Sequence, residues 1–180
     1  MAFIVTIFDT ETTGLFSSAL VDEKHKPELI EFMGVKRDLE TKQVIKEYEF
    51  FCKPQRPISE ESRKITGITD NMVKDAQPFA AHIVDIRDAL ENTDAVIAHN
   101  LSYDKEMIDT EAERCGIKIK WPRLICTVES TICIKGYRLT LSDMHYEFFE
   151  TKFEGAHRAR HDVEALVRCV DWLHGRKDFF

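Results

Sequence analysis

The sequence predicts an α/β fold in which helices pack on a mixed sheet, and two observations carry that prediction. Three strand-like segments come first, over Phe3–Phe8, Ile30–Asp38 and Val44–Cys52. The pattern then changes to helices alternating with short apolar strands, an order that builds a mixed sheet flanked by helices. A third observation locates the chemistry: apolar segments run into acidic residues, and in sheets of this kind sites form at strand ends.

The first segment is apolar apart from Thr6, which predicts a central strand, whereas the third alternates in part through Val44, Tyr48 and Phe50. Between the first two, Asp22-Glu23-Lys24-His25-Lys26 reads as a solvated loop. Ser59 is placed to cap a short helix with Ser62 or Arg63 in its first turn. Phe79, Ile83, Ile86 and Leu90 have near-helical spacing, and Pro78 suits the entry. Ala95–Ala98 predicts a short buried strand. A helix from about Ser102, apolar at Ile108, Ala112 and Cys115, stops at Gly116. Leu124–Thr127 predicts a further strand, and a last helix carries Ala159, Val163, Leu166, Val167 and Val170 on one face.

At 180 residues the chain has the length of one domain, spanning 1–180, and can bury a full core without metal or disulfide staples. Its cysteines, Cys52, Cys115, Cys126, Cys133 and Cys169, are odd in number and none has CxxC spacing. They read as reduced residues of a cytoplasmic protein. The N-terminal strand runs straight into Asp9 with no basic leader, and no apolar stretch approaches the ~18 residues of a membrane span. Asn100-Leu101-Ser102 is then an idle glycosylation sequon. A net charge of −7 excludes a broad basic face that coats duplex DNA, and leaves room for a small footprint on one strand end.

The acids that matter lie far apart in sequence. Asp9 and Glu11 are two residues apart, so in extended backbone both point to one face, where two carboxylates can share a metal. Taken alone, such a pair is more often a charged turn, and Asp104 alone is more often a helix-start residue. The following Thr12-Thr13-Gly14 adds backbone that can approach a ligand closely and hydroxyls that can bond sugar or phosphate. Asp162, five residues after His157, completes four carboxylates and one histidine. That set suits two oxygen-seeking ions, Mg²⁺ or Mn²⁺, and metal-assisted phosphodiester hydrolysis. His157 and His161 stand at i, i+4, but without an HExxH glutamate or a third zinc-type ligand they do not make a zinc site. His161 reads as an exposed helical residue, His99 as structural, and His157 as a base beside Asp162.

Together these segments resemble the three exonuclease motifs of the DEDDh 3′–5′ exonucleases, a family that includes the proofreading subunit of bacterial DNA polymerase III. Asp9-Thr10-Glu11-Thr12-Thr13-Gly14 is similar to the first motif, Ala98-His99-Asn100 through Asp104 to the second, and His157 with Asp162 to the third. Pro57-Ile58-Ser59 and Ile65-Thr66-Gly67-Ile68-Thr69 resemble the connecting segment, so the likeness spans nearly the whole chain. It implies an RNase H-like fold with a five-stranded mixed sheet. It also implies that Asp9, Glu11 and Asp162 hold one metal, that Asp9 and Asp104 (directly or through water) hold a second, and that His157 deprotonates the attacking water. By the same analogy Thr12, Thr13, Gly14, Leu15, Thr66, Asn100 and Tyr103 meet the terminal nucleotide. One departure stands out: many relatives carry histidine where this chain has Thr66, and threonine cannot stack on a base.

The expected activity is removal of nucleoside 5′-monophosphates from single-stranded or frayed DNA 3′ ends. RNA is the alternative substrate, because only the 2′-OH separates the two; Thr10 followed by Thr12-Thr13-Gly14 is closer to DNA-acting relatives than to the oligoribonuclease branch. A non-catalytic module that holds a 3′ end or a polymerase is the alternative from another class, and decay of the five site residues, which is absent, is what would favour it. The sequence stops soon after its last helix, from which a free-standing nuclease is expected, with Phe179-Phe180 able to dock a polymerase or repair partner or to pack down.

Overall fold

The computed structural model describes residues 2–16 and 26–176; the expected loop at 22–25 and the Phe179-Phe180 terminus lie outside them. Five strands, β1 (Ile4–Thr12), β2 (Leu29–Asp38), β3 (Val44–Phe51), β4 (Ala95–Ala98) and β5 (Arg123–Cys126), form one sheet in the order β3-β2-β1-β4-β5. β1, β2 and β3 pair antiparallel, and β4 and β5 lie parallel to β1. The sheet is therefore mixed, and β1 is at its centre.

Alternation along β1 divides the core. Val5 and Ile7 pack with Met33 and Val35 of β2 beneath α7 (Ala159–His174), whose Val163, Leu166, Cys169 and Val170 face them. Phe8 turns the other way, with Phe32 and Val96, onto α3 (Ile83–Glu91) and α4 (Leu101–Arg114) through Ile86, Leu90, Met107 and Ile108. Burying residues of both faces is what makes a strand read as continuously apolar.

The remaining helices are α1 (Glu60–Thr66), α2 (Asp70–Val73), α5 (Thr127–Lys135) and α6 (Leu141–Phe149). Ser59 caps α1 as expected, its hydroxyl accepting from Ser62 N–H at 3.1 Å. Three expectations need correction and one helix goes unpredicted. β1 continues past Phe8 to Thr12, because Asp9 to Glu11 stay in register with Met33 to Glu31 of β2. The stretch from Phe79 is split between a 3₁₀ turn, Phe79–His82, and α3. Thr127 opens α5 instead of closing β5. α6 was legible but unread: Thr140 caps it through Asp143 N–H at 3.1 Å, and Leu141, Met144 and Phe148 have helical spacing. Among the described residues no helix is long and apolar enough to cross a membrane.

Candidate active site

The strand parity that buries Val5 and Ile7 under α7 also turns Asp9 and Glu11 towards that helix. Asp162, in the first turn of α7, meets them: one carboxylate oxygen from each of Asp9, Glu11 and Asp162 lies within 4.8 Å of the others. Asp104, in the first turn of α4, approaches from the opposite face. β4 pairs with β1 only over Val5–Ile7, which leaves Thr10 N–H without a strand partner on that side. Asp104 fills the gap, its Oδ1 accepting from Thr10 N–H at 3.1 Å and from the Thr10 hydroxyl at 2.7 Å. The second-motif acid is thereby locked to the backbone between the two first-motif acids.

Four acids so placed oppose one another's ionisation. Burial, then the charges of Asp104, Glu11, Asp162 and Glu31, hold Asp9 well above the carboxylate range. Glu11 is pushed up to about 8 by burial, Asp162 and Glu31. Asp104 is pushed to about 7 by burial against the lowering bonds from Thr10, and Asp162 to about 6 by burial. A site built of hard oxygen donors that resist carrying their charges unaided fits a divalent cation, and Asp9, Glu11 and Asp162 are close enough to share one.

A fifth acid, Glu31, escaped the sequence reading. It stands opposite Glu11 in the β1–β2 register, where like charges destabilise a sheet. Arg158 answers it, donating from Nη2 at 2.8 Å and Nε at 3.2 Å, and Ala159 N–H adds a third bond at 3.1 Å. This pair ties the start of α7, and with it Asp162, to the sheet. The signal was an acid in the otherwise apolar Leu29-Ile30-Glu31-Phe32-Met33 and an arginine directly after His157.

His157 precedes α7 in left-handed backbone, φ 67°, and its N–H donates to Asp162 Oδ2 at 2.9 Å. Because the helix starts only at Ala159, the i, i+4 spacing of His157 and His161 does not put them on one helical face. His157 lines a cavity of about 610 Å³ together with Asp9, Glu11 and Asp162, a volume within the about 300–1,000 Å³ of ligand pockets. Asp104 is not on that wall; at 3% exposure it stands just behind it.

The expected nucleotide-contacting residues divide. Thr12, Gly14, Leu15, Thr66, Asn100 and Tyr103 all line the cavity. Tyr103 hydroxyl donates to Gly14 O at 2.8 Å and sits 2.8 Å from Thr12 Oγ1, which ties the first motif to α4. Asn100 stands at the N-cap position of α4 in left-handed backbone, and its side chain accepts from Arg138 Nη2 at 3.3 Å and makes no cap bond. Leu15 is 77% exposed, an apolar side chain held out at the rim. Thr66 hydroxyl donates to Ser62 O at 2.9 Å and accepts from Ile68 N–H at 3.0 Å, so its single O–H donor is already engaged. Thr13 is the exception: it is not on the cavity wall, and its hydroxyl accepts from Glu28 N–H at 3.0 Å. Its hydroxyl fastens the loop to Glu28. His99 bonds Thr127 Oγ1 at 2.9 Å and Leu139 O at 3.1 Å, and burial lowers it to about 4, so it is a neutral strut.

Comparison with known proteins gives the family and the fold. The family model described as exonuclease matches residues 6–170. The PolC-type DNA polymerase III of Listeria innocua serovar 6a is 32% identical over 165 residues, which cover 89% of this chain and 10% of that protein. The PolC-type enzyme of Caldanaerobacter subterraneus subsp. tengcongensis is 33% identical over 173 residues, covering 89% and 11%. The chain thus spans about a tenth of the length of these relatives. In structure it is similar to the nuclease domain of 3′hExo, a DEDDh family member, bound to rAMP, with a TM-score of 0.77 at 16% identity over 97% of this chain and 93% of that one. Exonuclease X in complex with 5′ overhanging duplex DNA gives a TM-score of 0.70 at 20% identity over 96% and 93%.

Fold and site together define an RNase H-like α/β nuclease, a hydrolase with its acids gathered at the central strand. The chain belongs to the DEDDh exonuclease family.

Proposed function

We propose that this chain is a two-metal 3′–5′ exonuclease that hydrolyses phosphodiesters at single-stranded or frayed DNA 3′ ends and releases nucleoside 5′-monophosphates. The observation that carries the reading is the convergence of Asp9, Glu11 and Asp162 within 4.8 Å, with His157 on the same cavity wall. DNA is favoured over RNA because the 30–34% identical relatives are DNA polymerases of the PolC type, and a proofreading or repair role beside a polymerase follows from the same likeness.

Asp9, Glu11 and Asp162 would hold one Mg²⁺ or Mn²⁺, and Asp9 with Asp104 the other. Bound there, such ions supply charge neutralisation at the scissile phosphate and a nucleophile at neutral pH. The protein's own residues do the rest. Thr10 holds the Asp104 carboxylate against the central strand, and the Glu31–Arg158 pair keeps α7 seated so that Asp162 stays with Glu11. His157 takes the proton of the attacking water. Leu15 offers apolar surface to the terminal base or sugar, and Asn100 and Tyr103 line the same cavity.

The deciding experiment incubates 5′-labelled single-stranded DNA and RNA of one sequence with the protein and Mg²⁺ or Mn²⁺, beside an Asp9→Ala control. A ladder shortening from the 3′ end, absent in the control and faster on DNA, is expected. At least tenfold preference for RNA would overturn the substrate, and intact strands under both metals would overturn the activity.

A further inference from the structure

Resting on the reading of His157 as the base, we propose that His161 is a positioning residue for His157, acting through Gly155. The segment joining α6 to α7 carries His157 and is conformationally demanding: Glu150, Gly155 and His157 have φ of 57°, 77° and 67°. For residues other than glycine that region is sparsely populated and persists only where surroundings enforce it. Two imidazoles supply the enforcement. Buried His145 bonds Thr151 O from Nδ1 at 2.8 Å and sets its ring against Phe153, centroids 5.4 Å apart. His161 bonds Gly155 O from Nδ1 at 3.1 Å. A carbonyl oxygen only accepts, so each ring carries a proton on Nδ1.

The fit at Gly155 is the tighter one. A Cβ there would lie 1.8 Å from His161 Nδ1 and 2.5 Å from its Cε1, so the imidazole occupies the space a side chain would need. Gly155 is required both for its φ and for that space. Two residues later His157 N–H is tied to Asp162 Oδ2 at 2.9 Å. The short stretch from Gly155 to His157 is thus pinned at each end to consecutive residues of α7, 161 and 162. Of these residues Ala156 and His157 line the cavity, while His161 does not. Its contribution is geometric: it sets where the base can sit.

The test measures kcat and KM on the single-stranded DNA substrate, and Mn²⁺ binding by calorimetry, for wild type, His161→Ala, His161→Asn, His157→Ala and the His157→Ala/His161→Ala double variant. His161 is exposed, so these variants are expected to fold, checked by circular dichroism. His161→Ala is expected to lower kcat roughly tenfold, a fraction of what a general base contributes, with KM and Mn²⁺ affinity within about twofold. Asparagine, whose amide can reach as Nδ1 does, should recover most of the rate. With His157 already removed, losing His161 should cost nothing further. Wild-type kcat in His161→Ala, an undiminished loss on the His157→Ala background, weakened Mn²⁺ binding, or no rescue by asparagine would each overturn the proposal. A His157→Ala variant that keeps its rate would instead remove the base reading itself.

Discussion

The carboxylates and the histidine of this site are held in opposite ways. Asp9 and Glu11 belong to the central strand, and Asp104 and Asp162 to first turns of long helices, all in regular backbone. His157 sits on a connecting segment with three left-handed residues, steadied from outside by side chains. Elements packed on both faces of a sheet fix positions closely, because any shift disturbs a dense core. A segment held by a few hydrogen bonds does so less firmly. The acid cluster should therefore respond to substitution in an all-or-none way, and the base in a graded one.

The largest expected effect follows from the first half of that contrast. Asp9→Ala or Asp162→Ala should abolish hydrolysis while leaving the circular dichroism spectrum unchanged, and in EDTA neither should melt earlier than wild type, since each removes a buried carboxyl whose ionisation the fold opposes. Wild-type rates in either variant, free of contaminating nuclease, would rule out the mechanism. Next in size, His157→Ala should lose ~10²–10⁴ in kcat, the usual contribution of a general base, yet bind Mn²⁺ as wild type does. A pH–rate profile unchanged by that substitution would take the base role from His157.

A third substitution probes the tie between the regions. Arg158→Ala leaves Glu31, 2% exposed, uncompensated opposite Glu11. It should cost about 1–3 kcal/mol, at the lower end for a broken buried pair because the arginine is partly exposed. Glu31→Gln in the Arg158→Ala background should return part of that loss, and chemical denaturation measures both. If the double variant is no more stable than the single, the carboxylate charge is not what Arg158 balances.

How much of this was legible in the sequence also follows the two regions. The strands, the sheet's mixed character and the five motif residues could be read because local pattern encodes them: an apolar run for β1, a serine before Glu60 for the α1 cap, acids two apart on one strand. What could not be read depends on long-range register. Glu31 matters only because β2 pairs antiparallel with β1 and sets it against Glu11. Thr13 faces Glu28 and not the cavity, and a DxETTG stretch says nothing about which threonine turns inward. His161 is the exposed helical residue the sequence predicts, but nothing in its own surroundings announces a glycine six positions earlier curling back onto it.

The smallest effect is the one that tests the acid cluster without touching a residue. Glu11 and Asp104, pushed to about 8 and 7, and Asp9, raised by burial and its neighbours' charges, hold protons in the folded chain that the unfolded chain has already lost near pH ~4. Where the folded state binds more protons, stability falls as pH rises. Between pH 6.5 and 8 the metal-free protein should therefore lose stability. Below that window the comparison is mixed, since neutral His99, held at about 4, works in the opposite direction as the unfolded imidazole protonates. A divalent ion needs these carboxylates ionised, so its gain should grow with pH over the same interval. Melting temperatures in EDTA and in Mn²⁺ at pH 6.5 and 8.0 check this, with a difference of a few degrees expected between the two metal-induced shifts. An equal shift at both values would mean that the acids are already ionised in the metal-free fold, and that the strand and helices impose less mutual repulsion than their spacing requires.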